Sequence, residues 1–462
     1  MLVQYPREKE YSGKTGVSMH PEVLCIQPPV YDFALYDLYF KPYGLLRIAR
    51  WLKEAGYRVG VINALDYGDR RTAEVLGPVR RKADGTGKFH RTRMELPPGI
   101  SRINRHFARY GVLPEVLEEA VRRAHPDIVL VTSQMTYWYP GVAETVRAVK
   151  KHHPEVPVVV GGVYAALMPE HCREATGADE VVCGDVFREL RRILEQRGLP
   201  APADSPSQDS APLLDPDVWK DAGVVRLNAG CPFRCTYCAS HSLEPRFQPG
   251  DYRKTFAIIR EMHERLEIRN FAFYDDALLV NKDRVFLPLL EEIIRRGLEL
   301  KFYTPNAVHM HYIDDEAARM MKRAGFQEVR LGYESADDVF HRELDAKYTP
   351  EEVPKAIEAL RRAGFKGRQL ILYVLAGLPG QRVSEVENTL GEVRGFKVKV
   401  SIAEYSPVPR TVLWDRAVEF SPYPLEDEPL YHNNTFFPME WEGFTRADLE
   451  RVKESARLME TE

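Results

Sequence analysis

Cys231, Cys235 and Cys238 stand in a C-x3-C-x2-C spacing within Gly230–Ser240, G-C-P-F-R-C-T-Y-C-A-S. Three sulfurs on one short loop suit zinc, copper(I) or an iron–sulfur cluster. A four-iron cluster takes four cysteines when protein supplies every ligand. No fourth stands close by, so one iron would remain open to a ligand other than protein. The triplet also suits a structural zinc site completed from a distance, for example by His241. Zinc sites usually pair two C-x2-C knuckles, however, and the chain has no second one. Phe233 and Tyr237 are placed to shield the loop.

The elements that must position this loop can be read around it. It follows the apolar-alternating run Val224–Asn228, the first of six expected strands, near 224–228, 271–275, 301–304, 328–332, 370–375 and 400–405. Helical periodicity lies between them near 253–267, 283–297, 314–323, 351–363 and 383–395. Gly325 and Gly364 are placed as helix C-caps. Six βα units are too few for a closed eight-stranded barrel, so a partial TIM-like (β/α)6 barrel is expected, with the cysteines on its C-terminal, chemistry-bearing face.

Upstream, apolar strands at 23–26, 57–62, 128–131, 156–160 and 180–182 alternate with helices at 42–55, 113–124, 141–152, 170–174 and 187–196. That rhythm predicts a Rossmann-like, doubly wound α/β sheet whose ligands sit beyond the carboxyl ends of the strands. Those ends carry Pro28-Pro29, Thr132-Ser133-Gln134-Met135, Gly161-Gly162 and Gly184-Asp185. The chain thus divides into an N-terminal domain (1–198, opening on a polar arm over 1–20), a Pro/Ser/Asp-rich linker (199–217), the barrel (218–410) and a short C-terminal extension (411–462). The extension carries an acidic stretch at 421–430, a polar cluster at His432–Thr435 and an amphipathic helix over 445–459.

Composition sets the frame. With 462 residues, 44% apolar and 29% charged, the chain reads as soluble, globular and multi-domain. No apolar run is long enough to span a membrane and the N-terminus shows no signal-peptide pattern, so a cytoplasmic protein is expected. Six cysteines make no disulfide framework, and Cys25, Cys172 and Cys183 read as buried, unreactive thiols. A net charge of −4 offers no general argument for nucleic acid. Arg70–Arg109, however, holds eleven Lys/Arg against three Asp/Glu. It reads either as a solvated excursion or as a basic lid over an anionic substrate or a phosphate-bearing cofactor tail. Phe89 and Phe107 are too few aromatics for a nucleic-acid platform.

Taken together, the cysteine loop and the elements after it resemble the radical SAM superfamily. Phe273-Tyr274-Asp275-Asp276 closes the second strand, where the family often binds the methionine amino group. Leu331-Gly332-Tyr333-Glu334-Ser335 resembles its G-x-E-S element, Gly377-Leu378-Pro379-Gly380 its adenine-contacting G-L-P-G, and Ser406-Pro407-Val408-Pro409 follows the sixth strand. The resemblance implies a 4Fe–4S cluster on Cys231, Cys235 and Cys238, with S-adenosylmethionine on the open iron. Phe233, Tyr237, Asp275, Asp276, Asn306, Glu334, Ser335, Gly377, Leu378, Pro379 and Val408 are its expected S-adenosylmethionine contacts. A flavodoxin- or ferredoxin-like electron donor is implied as well.

The N-terminal domain resembles the cobalamin-binding domain of a large radical SAM subfamily, through Ser133-Gln134-Met135 (its S-x-L), and Gly161-Gly162 followed by Met168-Pro169-Glu170 (its G-G…P-E). Ser133, Gln134, Met135, Gly161, Gly162 and Gly184 are the implied cobalamin contacts. Two features depart from the pattern: the D-x-H-x-x-G histidine has no counterpart, only Gly44 matching its glycine, and the G-E-G-E stretch is Gly184-Asp185-Val186-Phe187. The subfamily implies methylation of an unactivated carbon or phosphorus centre through a 5′-deoxyadenosyl radical and methylcobalamin. The alternative is a non-methylating rearrangement, cyclisation or oxidation with cobalamin in another role or absent. The substrate is left open between a small molecule and a peptide or protein.

Overall fold

The computed structural model describes residues 20–101, 103–349 and 351–459. Apart from His20, the N-terminal polar arm lies outside them. The chain forms two compact units that divide between Asp221 and Ala222.

In the first unit, five parallel strands form one sheet in the spatial order Glu180–Val181, Val158–Gly162, Ile128–Ser133, Glu22–Gln27, Arg58–Asn63. Glu22–Gln27 is buried at every position, as a central strand covered on both faces must be. Leu24, Ile26, Val129, Val131, Val158 and Val160 pack against Leu117, Val121, Val146 and Val149 from the crossover helices. Strand order reverses between Glu22–Gln27 and Ile128–Ser133. In such a sheet that switch point opens a crevice at the carboxyl edge.

The basic stretch 70–109 is neither a free excursion nor a loose lid. Arg91–Arg93 and Ala108–Tyr110 pair antiparallel, and Ala108–Tyr110 pairs in turn with Val30–Asp32 just beyond the first strand. Gly87–Lys88 pairs with Tyr36–Asp37. Phe89, Ala108 and Tyr110 close over Val30, Leu65 and Trp138 as a second small core. Two of its arginines are turned inward. Arg81 binds Asp37 at 2.8 Å and stacks over the Tyr67 ring. Arg109, only 2% exposed, grips the Glu144 carboxylate through Nε at 2.8 Å and Nη2 at 2.7 Å. Composition counts charge; only packing shows which charges are already neutralised.

Two further expectations change. Residues 199–217 carry no helix or strand but are strapped along the helix Tyr43–Glu54. Trp51 Nε1 donates to Asp204 O at 2.8 Å, Arg47 Nη2 to Ser207 O at 2.9 Å, and Leu213 N to Leu46 O at 2.8 Å. Cys25 and Cys172 are buried, their thiols pushed up to about 12 by desolvation, whereas Cys183 is exposed. The last strand ends at Val181, so Cys183 falls in the turn beyond it.

The second unit contains six parallel strands in chain order. Gly223–Val225, Asn270–Phe273 and Lys301–Tyr303 form one sheet; Val329–Glu334, Leu370–Ala376 and Lys399–Glu404 form another. Bridges Phe302–Phe326 and Val308–Leu331 join the two into one curved wall. No pairing closes the sixth strand on the first among the described residues, so the barrel is partial. Phe271, Phe273 and Phe302 from the strands pack with Phe326 and the helix residue Phe286 in the buried aromatic core of its first half. Helix ends match expectation, with Gly325 (φ 104°) closing Asp315–Ala324 in the left-handed region.

Glu144→Ala should destabilise the first unit by about 3–5 kcal/mol, because it leaves the Arg109 guanidinium buried without its counter-ion. The double variant with Arg109→Met should recover much of that loss. Urea unfolding followed by circular dichroism measures both.

Candidate functional site

The cysteine loop has little regular structure of its own and is held from three sides. Beneath it, Asp275, at the end of the second strand and 1% exposed, accepts from Leu227 N (3.0 Å) and Asn228 N (2.6 Å). Desolvation pushes its carboxyl up to about 7, against the pull of those two N–H groups. Above it, Thr236 N donates to Leu344 O at 2.8 Å. On the third side Leu413 N donates to Thr236 O at 3.0 Å, and Ser242 Oγ donates to Arg410 O at 2.8 Å. Gly230 opens the loop at φ 68°, where a Cβ would come within 2.6 Å of Arg246 O.

Desolvation pushes the Cys231 thiol up to about 11 and that of Cys235 up to about 12. Each becomes a thiolate only when a metal takes the place of its proton. Cys238 Sγ accepts from Ser240 N at 3.5 Å and lies 3.2 Å from Ser240 Oγ. Among the described residues, no three His, Cys, Asp or Glu side chains converge tightly enough for a single ion. His241 turns to Arg234 instead, its Nε2 3.1 Å from Nη1.

The other expected contacts divide into those that face outward and those the fold has already used. Asp275 belongs to the second group: both of its oxygens are taken by backbone, so it positions the loop. Ser335 is similar, being buried, with its hydroxyl accepting from Asp337 N at 3.1 Å. Asp276 is exposed in a recess whose surroundings raise its carboxyl by desolvation, opposed by the Ser240 hydroxyl. Asn306 is exposed and donates to Tyr274 O at 3.2 Å. Glu334 ends the fourth strand after a register shift and has φ 65°, a conformation an ordinary residue keeps only under constraint. Ala307 (φ 63°), Ala346 (φ 49°) and Arg410 (φ 64°) share that strain, all on loops beyond the carboxyl ends of strands. Phe233 stacks on His309 with ring centres 4.4 Å apart, and burial holds that imidazole down to about 3, hence neutral.

Gly377, Leu378 and Pro379 are buried in a turn tied by Gln381, whose Oε1 accepts from Gly377 N (2.7 Å) and Leu378 N (3.2 Å). The C-terminal extension covers this turn. The Phe437 ring lies so close that a Cβ on Gly377 would stand 2.8 Å from it, and Trp441 Nε1 donates to Gln381 O at 2.9 Å. Val408, half-buried, lies in the turn after the sixth strand, its carbonyl accepting from Thr411 Oγ1 at 2.7 Å. The cluster His432–Thr435 is polar in composition, yet all but the half-buried Asn434 are buried; His432 Nε2 lies 2.7 Å from Leu425 O.

Sequence reasoning missed the segment 338–348. Tyr237 Oη donates to Asp345 Oδ2 at 3.1 Å, Lys347 Nζ lies 3.0 Å from Glu334 Oε1, and His341 Nδ1 lies 2.9 Å from Asp345 Oδ1. The His341/Asp345 spacing of four in H-R-E-L-D was a readable signal, since it stacks the pair on one helical face.

At the carboxyl edge of the first unit, Met135, Gly162 and Gly184 are exposed, while Gln134 and Gly161 are half-buried. Gly162 has φ 100°, and a Cβ there would meet Ser133 O at 2.1 Å. Ser133 itself is buried: its hydroxyl donates to Gly161 O at 2.8 Å and accepts from Ala165 N at 3.2 Å. It holds the edge together and does not face a ligand. Met135, Gly162 and Gly184 thus form an exposed stretch of the rim, and residues 28–41, which follow the first strand, contain no histidine.

Comparison with known proteins agrees with this geometry. The profile of the Radical SAM superfamily matches residues 225–393, and that of the B12 binding domain matches residues 103–193. The chain is a radical SAM protein with a B12-binding domain. Its cofactors are a 4Fe–4S cluster, S-adenosylmethionine and cobalamin. It is 27% identical to an uncharacterized methyltransferase of Pyrococcus horikoshii over 72% of the chain and 75% of that protein. It is 26% identical to the anaerobic magnesium-protoporphyrin IX monomethyl ester cyclase of Cereibacter sphaeroides, over 60% of the chain and 50% of that protein. In fold it is similar to the radical S-adenosylmethionine methyltransferase TsrM of Kitasatospora setae, with a TM-score of 0.65 and 15% identity across 94% of this chain and 89% of that one. Among the described residues no helix is long and apolar enough to cross a membrane.

A carboxyl raised by folding binds its proton more tightly in the folded chain. The contribution of Asp275 to stability is therefore fully present below about pH 4 and is lost as pH rises through about 7. Melting temperatures between pH 4.5 and 7.5 should fall accordingly, and Asp275→Asn should flatten that slope. Separately, Cys235→Ala should abolish iron uptake while His241→Ala retains it, as read by iron and sulfide content after anaerobic reconstitution.

Proposed function

We propose that the chain is a cobalamin-dependent radical SAM methyltransferase acting on an unactivated carbon or phosphorus centre. The observation that carries this reading is the pairing, in one chain, of a three-cysteine loop on a partial barrel with an open, glycine-lined carboxyl edge on a B12-binding sheet. When bound, the cluster supplies an electron to S-adenosylmethionine and cobalamin carries the methyl group.

The chain's own residues bind, orient and exclude water. Cys231, Cys235 and Cys238 would hold the four-iron cluster, and S-adenosylmethionine would supply the ligand that the protein does not. Asp276, in its recess beside the cysteine loop, is placed to receive the methionine ammonium. The Glu334 carboxylate has one oxygen beside Lys347, which leaves the other for a ribose hydroxyl. The turn Gly377–Gly380, closed by Gln381 and backed by Phe437, forms a rigid apolar seat for adenine. Phe233 and Tyr237 keep water from the loop. Gln134, Met135, Gly161, Gly162 and Gly184 support the corrinoid. A low-potential one-electron donor, flavodoxin- or ferredoxin-like, serves the cluster.

The cyclase relative supports a second reading, radical chemistry without methyl transfer. The methyltransferase match is the broader of the two, covering 75% of that relative against 50% of the cyclase. Product analysis separates them. The anaerobically reconstituted chain, given S-adenosylmethionine, hydroxocobalamin and reductant, should form S-adenosylhomocysteine alongside 5′-deoxyadenosine. Deoxyadenosine alone, from corrinoid-loaded protein, would refute methyl transfer.

A further inference from the structure

Between the fourth strand and the next helix, the chain forms a short turn of helix, Asp338–Phe340, and then a π-helix, His341–Asp345. π-Helical turns are rare and gather at functional sites. Ala346, at φ 49°, then reverses the chain and brings Lys347 back against the cysteine loop. Lys347 Nζ lies 3.0 Å from Glu334 Oε1, 4.0 Å from Asp345 Oδ2 and 5.3 Å from the centre of the Tyr237 ring, with its side chain 11% exposed. Tyr237 stands between Cys235 and Cys238 in the chain, and Asp345 O is 3.9 Å from Cys235 Sγ.

The surrounding contacts fix that ammonium in place. Tyr237 Oη and His341 Nδ1 hold the two Asp345 oxygens, and His341 Nε2 lies 2.8 Å from Ser335 O. Both imidazole nitrogens face acceptors, so both carry hydrogen. Tyr348 Oη donates to Tyr333 O. Burial alone would lower Lys347, but the charges of Glu334, Cys235 and Asp345 outweigh it and hold the ammonium above its ordinary value.

We propose that Lys347 is a redox-tuning residue: its fixed positive charge beside the Cys235 side of the cluster stabilises the negative charge added on one-electron reduction, and so raises the cluster's reduction potential. The inference rests on the reading that the three cysteines hold a four-iron cluster. Charge near a cluster is one of the levers that set its potential. Glu334 opposes the effect, since its carboxylate neutralises part of the same charge.

The test uses the full chain, reconstituted anaerobically without S-adenosylmethionine or cobalamin, with iron and sulfide counted first. Potentiometric titration followed by electron paramagnetic resonance then gives the reduced-to-oxidised ratio at a fixed potential. Lys347→Met should lower that ratio on the order of tenfold, and Lys347→Arg should stay within about twofold of wild type, as expected for one charge across a partly buried gap. Glu334→Gln should raise it. An unchanged ratio in iron-replete Lys347→Met overturns the proposal. So does a shift of Lys347→Met and Glu334→Gln in the same direction, the mark of a disturbed loop rather than of charge. If Lys347→Met takes up no iron, Glu334→Gln decides, and a ratio no higher than wild type overturns the proposal. A wild-type chain that takes up no cluster overturns the cluster reading and this inference with it, an outcome distinct from loaded protein with unchanged potential.

Discussion

Three thiols gathered on one short loop can hold a metal cluster only by giving up their protons together, and a loop has no ladder of its own to keep them in place while they do. Everything around Cys231, Cys235 and Cys238 answers this constraint. A buried carboxylate from the second strand anchors the residues that lead into the loop. Backbone groups of Leu344 and Leu413, far away in the chain, grip Thr236 from either side. A buried lysine offsets the negative charge. The barrel strands serve as the frame that brings these distant segments to one face.

Both units rely on the same geometric fact. Parallel strands connected by crossover helices place all their carboxyl ends along one edge, and the loops leaving that edge are free to vary. In the first unit the edge is built from Gly161, Gly162 and Gly184, with Ser133 tying it together from inside. In the second it carries the cysteines, Asp276, Glu334 and the Gly377 turn. Strain gathers there as well: Ala307, Glu334, Ala346 and Arg410, all at positive φ, follow strand ends of the barrel. Such conformations persist only where surrounding contacts over-determine them, as Lys347 does for Glu334.

The C-terminal extension shows how composition can mislead about position. His432-Asn433-Asn434-Thr435 is polar in composition, yet all but Asn434 are buried. The basic stretch 70–109 makes the same point. Its excess of arginine suggests an anion site, but Arg81 and Arg109 are matched by Asp37 and Glu144 from other elements. Charges cancel in space, and the partner's place in the chain gives no hint of it.

By itself the sequence determined the α/β class, the positions of the eleven parallel strands and the identity of the cysteine loop. These are local properties: apolar runs of strand length, helical periodicity, glycine caps and ligand spacing are each written within a few residues. The sequence could not say that Asp275, Ser133 and Ser335 face inward, because alternation along a strand stops at its end and the turn that follows sets the direction. Nor could it reveal Lys347, whose ammonium meets Glu334 and the Tyr237 ring only when the barrel strands bring their ends to one face. Only the tertiary structure decided which side chains at the rim remain free for a cofactor and which are already committed to holding the rim together.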